Sequence, residues 1–134
     1  MNRTTRRFFL ASVPGLLAAA VYPRRVAGAF IKHPEPRPGI DASKMLTREQ
    51  LQGNSDAIRV FDLVREIPHI ADGIRCHCGC AEIEGYYSLL SCFEGDGMAR
   101  YCEVCSGEGE LAARLHKQGK TLDQIRAAID AKFT

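Results

Sequence analysis

The chain has 134 residues, 46% of them hydrophobic and 25% charged, with 18 basic against 16 acidic side chains and a net charge of +2. That length holds one domain with a modest core. Five of the 18 basic residues, Arg3, Arg6, Arg7, Arg24 and Arg25, stand before Phe30 with no acid among them, so the remainder carries 13 basic against 16 acidic residues, a net charge of −3. A mildly acidic body of mixed sign lacks the basic face that nucleic acid or an anionic membrane surface requires, which excludes both as partners.

In chain order, the first element is an export signal. Thr5-Arg6-Arg7-Phe8-Phe9-Leu10 leads into an apolar run from Phe8 to Tyr22, followed by Arg24-Arg25 and by Ala27-Gly28-Ala29, a small-x-small cleavage pattern. This order of parts resembles twin-arginine signals. The run is shorter than the roughly 20 residues of a spanning helix, so no stable membrane span is expected after cleavage. The expectation is therefore that residues 1–29 are a signal peptide read by the twin-arginine export machinery, and that the mature chain is soluble in the periplasm or another extracytoplasmic space.

Residues 30–46 hold His33-Pro34-Glu35-Pro36-Arg37-Pro38-Gly39. Alternating prolines lack amide donors and favour extended backbone, so this stretch reads as a proline-rich linker. The folded domain is expected over 47–134. Thr47 and Gln50 have capping-box spacing. Ala57, Val60, Phe61 and Val64 recur with helical period behind Asn54 or Ser55 as cap. Pro68 stops that helix or starts a new turn, and Ile67, Ile70 and Ile74 provide apolar anchors. A short helix around Leu89, Leu90 and Phe93 packs Cys92 inward, and Glu94-Gly95-Asp96-Gly97 is a turn. Leu111, Ala112 and Leu115 mark another helix, stopped at Gly119. A last one opens at Thr121 with Gln124 three residues on and buries Leu122, Ile125, Ile129 and Phe133. Strand signals are thin, confined to Ala81–Tyr87. The expected fold is mainly α: one small cysteine-rich helical domain with an irregular cysteine loop.

All six cysteines fall between Cys76 and Cys105: Cys76, Cys78, Cys80, Cys92, Cys102 and Cys105. In Cys76-His77-Cys78-Gly79-Cys80 every second residue is cysteine, which suits a ligand loop rather than a helix, where alternate residues point to different faces. Cys102 and Cys105 stand three apart, a spacing that on a helix puts both thiols on one side. At least four of the six sulfurs are expected in one small volume. Their density matches soft-metal chemistry, and an oxidising compartment would not leave such thiols unoccupied.

Arg75-Cys76-His77-Cys78-Gly79-Cys80, then Ser88-Leu89-Leu90-Ser91-Cys92-Phe93, then Cys102-Glu103-Val104-Cys105 resembles, from Ile67 to the C-terminus, the exported bacterial proteins named for a PCYCGC motif. The chain departs from the motif at Arg75 and His77, which stand where the family name has proline and tyrosine. Many relatives are lipoproteins, whereas no cysteine lies near the cleavage pattern here. The resemblance implies an extracytoplasmic location and supplies no mechanism.

Three functions remain open. Metal binding would use Cys76, Cys78, Cys80, Cys92, Cys102 and Cys105 for Cu(I) or Zn²⁺, with His77 as accessory ligand and Arg75 and Arg100 placed to relieve the charge of a thiolate site. His116 fits a solvent face and Met98 a turn. Thiol–disulfide chemistry would use Cys78/Cys80 or Cys102/Cys105. A purely structural staple of three disulfides admits 15 connectivities. No glycine-rich phosphate loop or Ser/His/Asp spacing supports nucleotide or hydrolase chemistry.

Overall fold

A computed structural model describes residues 32–134. The signal-peptide reading falls on residues outside that range. Among the described residues four α-helices form: α1 (Ser55–Arg65), α2 (Pro68–Asp72), α3 (Glu103–Lys117) and α4 (Leu122–Phe133). Short 3₁₀ turns lie at Cys80–Glu82, Leu89–Phe93 and Met98–Arg100. No strand forms among the described residues; Met45 and Glu94 make an isolated antiparallel bridge. The fold is mainly helical, as the periodicity indicates.

Helix α1 begins where Asn54 Oδ1 accepts the Ala57 amide at 3.0 Å, satisfying one of the open donors of the first turn. Its buried face is Ala57, Val60, Phe61 and Val64. Helix α4 opens with a reciprocal box between Thr121 and Gln124, and Ile125 and Ile129 are fully buried against the core. Helix α3 packs between α1 and α4. Its contact with α1 is close because Gly109 has no side chain: a Cβ there would lie 2.8 Å from both Phe93 Cζ and Val64 Cγ2. Phe61 and Phe93 meet edge to face in the centre, with ring centroids 4.8 Å apart.

The sequence is misleading at two places before α1. Thr47 and Gln50 do exchange the two bonds of a capping box, at 2.8 and 3.3 Å, but the chain continues as turns rather than as a helix and reverses at Gly53, whose φ is +85°. Only glycine enters that backbone region without strain. The expected linker over 30–46 is the larger correction. From Lys32 onward it is a strap bound to the domain, and Met45 and Leu46 belong to the core.

Polar contacts fasten the proline-rich part of the strap to the domain. Arg37 clamps the fully buried Asp72 through its backbone N–H at 2.7 Å and its guanidinium at 2.7–3.2 Å, and the Ser88 hydroxyl donates to the same carboxylate at 2.7 Å. The Arg126 guanidinium donates to the Pro34 carbonyl at 2.7 Å, and the Tyr87 hydroxyl to the Glu35 carbonyl at 2.6 Å. His33 Nδ1 accepts the Arg75 amide at 3.0 Å, so the proton of its neutral ring sits on Nε2 and is donated to Asp130 at 3.0 Å. Extended proline-rich backbone leaves carbonyls unpaired, and these distant side chains satisfy them.

Candidate metal centre

The loop after Ile74 places three cysteines. Gly79 adopts φ +90°, folding the chain back so that Cys78 and Cys80 approach each other; their sulfurs are bonded as a disulfide. Cys76 precedes them, buried behind Ile74. Cys92 arrives from the 3₁₀ turn Leu89–Phe93, held by Leu89, Leu90 and Phe93, none of which is exposed. Cys105 arrives from the first turn of α3. The Sγ atoms of Cys76, Cys78, Cys80, Cys92 and Cys105 all lie within 4.8 Å of one another.

Individual separations are Cys76–Cys105 3.2 Å, Cys76–Cys78 3.3 Å, Cys78–Cys105 3.3 Å and Cys80–Cys105 3.9 Å. A tetrahedral ion bound to sulfur at roughly 2.3 Å has sulfurs roughly 3.8 Å apart at its edges, so with the disulfide reduced and small outward shifts the cluster could hold an ion. The donor set therefore fits a soft or borderline cation, with Cys76, Cys92 and Cys105 as free thiols and Cys78 and Cys80 available on reduction.

Electrostatics point the same way. Hydrogen bonds from Cys105 and Cys92 hold the Cys76 thiol down to about 3, whereas sharing with the Cys76 thiolate pushes Cys105 well up. Cys92 is also raised: its bond to Cys105 favours ionisation, but its bond to Cys76, burial and the neighbouring negative charge outweigh it. Ionisation of Cys76 thus opposes ionisation of Cys92 and Cys105. A bound cation removes that limit, because it turns repelling thiolates into ligands.

Cys102 stands outside this group. It is the N-cap of α3, with extended backbone at φ −113° and ψ 110°, and its sulfur accepts the Cys105 amide at 3.5 Å. The three-residue spacing puts two side chains on one face only when both residues are helical, and Cys102 is not. His77 is brought beside the pocket, but its ring nitrogens face carboxylates: Nδ1 meets Glu108 Oε1, and Nε2 lies 3.1 Å from Asp130 Oδ1 without the alignment of a hydrogen bond. Arg75 pairs with Glu82, and Arg100 lies over the Tyr101 ring with its Nε buried and unpartnered.

Two further residues line the pocket: Met98, which the sequence ranks as a weaker accessory ligand than His77, and Glu108, which it does not single out. Met98, expected in a turn, does sit in one, and its Sδ lies 2.9 Å from Cys80 Sγ. Glu108 is fully buried; its Oε1 accepts the His77 amide at 3.0 Å and its Oε2 has no partner. Burial, then the charge on Cys76, pushes the Glu108 carboxyl up to about 10. The available signal for Glu108 is its place on the apolar stripe of α3 with Cys105, Leu111 and Ala112.

The fold and the pocket together define a small helical domain built around five converging cysteine sulfurs, an arrangement that fits metal binding or a structural or redox role. Among the described residues no helix is long and apolar enough to cross a membrane. Comparison with family models, with curated proteins and with solved structures gives no match.

Proposed function

We propose that this is an exported metal-binding protein whose cysteine pocket holds Cu(I) or Zn²⁺ and serves metal handling outside the cytoplasm. The convergence of five Sγ atoms within 4.8 Å carries the reading. A disulfide staple consumes sulfurs in pairs and has no use for a fifth one in contact with the other four. Export and the periplasmic location rest on Arg6-Arg7, the apolar run and Ala27-Gly28-Ala29. Kinship with the PCYCGC-motif proteins rests on the three cysteine elements in order and belongs to the same proposal. Among the ligands, Cys76, Cys78, Cys80, Cys92 and Cys105 are direct, and Cys102 and His77 support them by capping α3 and by holding the loop to Glu108.

One observation favours a second reading, thiol–disulfide exchange. The Cys76 sulfur lies 3.3 Å from Cys78, which is bonded to Cys80. Attack by the Cys76 thiolate on Cys78 forms a Cys76–Cys78 bond and releases Cys80 as thiolate, with no net oxidation. Elemental analysis combined with a free-thiol count on protein from its own export compartment separates the two. Bound metal with the pocket thiols reduced supports metal handling; metal-free protein that exchanges one disulfide reversibly with a dithiol supports the second reading and refutes the first.

A further inference from the structure

We infer that the pocket takes a polynuclear Cu(I)–thiolate cluster with the Met98 thioether as an additional ligand, an inference that rests on the metal-binding reading and deepens it. The sulfur count is the first ground. One tetrahedral Zn²⁺ uses four thiolates, and here five sulfurs lie mutually within 4.8 Å, with the Met98 sulfur 2.9 Å from Cys80. Thioether sulfur is a soft, neutral donor suited to Cu(I) and is absent from the usual zinc ligand set.

Charge is the second ground. Four thiolates on Zn²⁺ leave −2, and five leave −3, in a pocket whose cysteines Cys76, Cys80, Cys92 and Cys105 are buried. No cation is paired with the sulfurs: Arg75 goes to Glu82, Arg100 lies over Tyr101 with its buried Nε unpartnered, and the His77 ring faces Glu108 and Asp130. What remains nearby is the N-terminal end of α3, a partial positive charge only. Each Cu(I) adds a single positive charge and is satisfied by two or three bridging sulfurs, so about four Cu(I) on five thiolates leave only about −1 to bury. Sulfur packs against sulfur, and the buried His77 imidazole faces Glu108 and Asp130 rather than the sulfurs, which is the arrangement such a cluster requires.

Loading uses the reduced pocket. A dithiol opens the Cys78–Cys80 bond with two electrons, giving two thiols and its own disulfide. Each thiol then releases its proton as it binds Cu(I), which keeps its oxidation state.

The test is an anaerobic titration of the dithiol-reduced full chain with Cu(I) supplied as its acetonitrile complex, read by native mass spectrometry and by the luminescence of solvent-shielded Cu(I)–thiolate clusters, with a parallel Zn²⁺ titration. The expected result is cooperative appearance of a luminescent species with about four Cu(I) per chain and displacement of Zn²⁺ by Cu(I). Met98→Leu, which conserves volume, should keep the fold by circular dichroism and lose copper to a competing Cu(I) chelator at least about tenfold more readily. A single Cu(I) per chain, unchanged retention in Met98→Leu, or an iron–sulfur chromophore in freshly isolated protein would overturn the inference and leave metal binding standing. Failure to hold either ion would overturn both.

Discussion

Asp72 and Glu108 are both fully buried carboxylates, and their surroundings give them opposite charge states. At Asp72, burial favours the neutral acid, but the Arg37 guanidinium and amide and the Ser88 hydroxyl outweigh it and hold the carboxyl below its ordinary value. At Glu108 no arginine or lysine answers, only the His77 ring; burial and the Cys76 thiolate push it up to about 10. The strap end of the molecule thus carries its own counter-charge, and the sulfur end does not. That contrast separates a finished structural contact from a pocket that lacks positive charge, and a metal ion would supply it.

The largest expected effect comes from supplying or removing that cation. If metal completes the sulfur end, a strong chelator should lower the stability of the metal-loaded protein by ~4 kcal/mol at a free metal concentration about a thousand times Kd, read as a shift in the denaturation midpoint. Arg37→Ala should respond to chelator as the parent does, because the strap end is metal-independent. Chelator-indifferent stability together with reductant-sensitive stability would reassign the sulfur end to a disulfide staple.

Breaking the strap end should come next. Arg37→Ala leaves Asp72 buried without its guanidinium and should cost about 2–3 kcal/mol, less than a fully buried pair because Arg37 is partly exposed. The sign of the acid response checks the cause. In the parent, Asp72 is depressed below 3.8, so its contribution is fully present above that pH and is lost as pH falls through the folded value. In Arg37→Ala the buried acid prefers its proton, and lowering the pH toward 4 should narrow the stability gap to the parent. Urea midpoints of both proteins from neutral to acid pH measure it.

Much of this contrast was hidden in the sequence, for physical reasons. The stripe Ala57, Val60, Phe61 and Val64 and the box at Thr121 and Gln124 are local: period and capping chemistry settle them within one or two turns. Convergence of the cysteines was legible too, because three sulfurs two residues apart cannot complete a site alone. What local rules missed depends on distance or on backbone state. The prolines of the strap announce extended backbone but not that Arg37 and His33 find Asp72 and Asp130, 35 and 97 residues away. Cys102 looked equivalent to Cys105 because helical spacing was applied across a cap. Met98 and Glu108 carry no motif; only the packing of α3 and its preceding turn against the loop brings them to the sulfurs.

Opening the backbone of the loop should have a smaller effect. A Cβ at Gly79 meets nothing within 4 Å, so Gly79→Ala is penalised only through its φ of +90°. The expected cost is about 1–2 kcal/mol, together with slower closure of the Cys78–Cys80 bond, followed by alkylation and mass after reduction and air oxidation. A cost well above this would mean that the loop is held by contacts at Gly79 that the structure does not contain.

The smallest change in stability at acid pH, and the sharpest test of the contrast, is Glu108→Gln. If Glu108 is neutral in the metal-free fold, glutamine reproduces its shape and keeps an oxygen to accept the His77 amide, so at acid pH, where the unfolded carboxyl is protonated too, stability should change by about 1 kcal/mol or less. The pH dependence should change more. A carboxyl at 4.5 in the unfolded chain and about 10 in the fold binds its proton more tightly when folded, so between those values the unfolded state holds fewer protons and stability declines as pH rises. Glu108→Gln removes that decline. Metal-free parent and variant, compared by urea denaturation between mildly acid and mildly alkaline pH, should diverge, with the variant the more stable at the alkaline end. The same comparison at Asp72 predicts the reverse, since Asp72→Asn deletes a charge that Arg37 already balances and should be destabilising throughout the neutral range. Parallel pH profiles for Glu108→Gln and the parent would mean that Glu108 is ionised in the fold, and the sulfur end would then be as fully compensated as the strap.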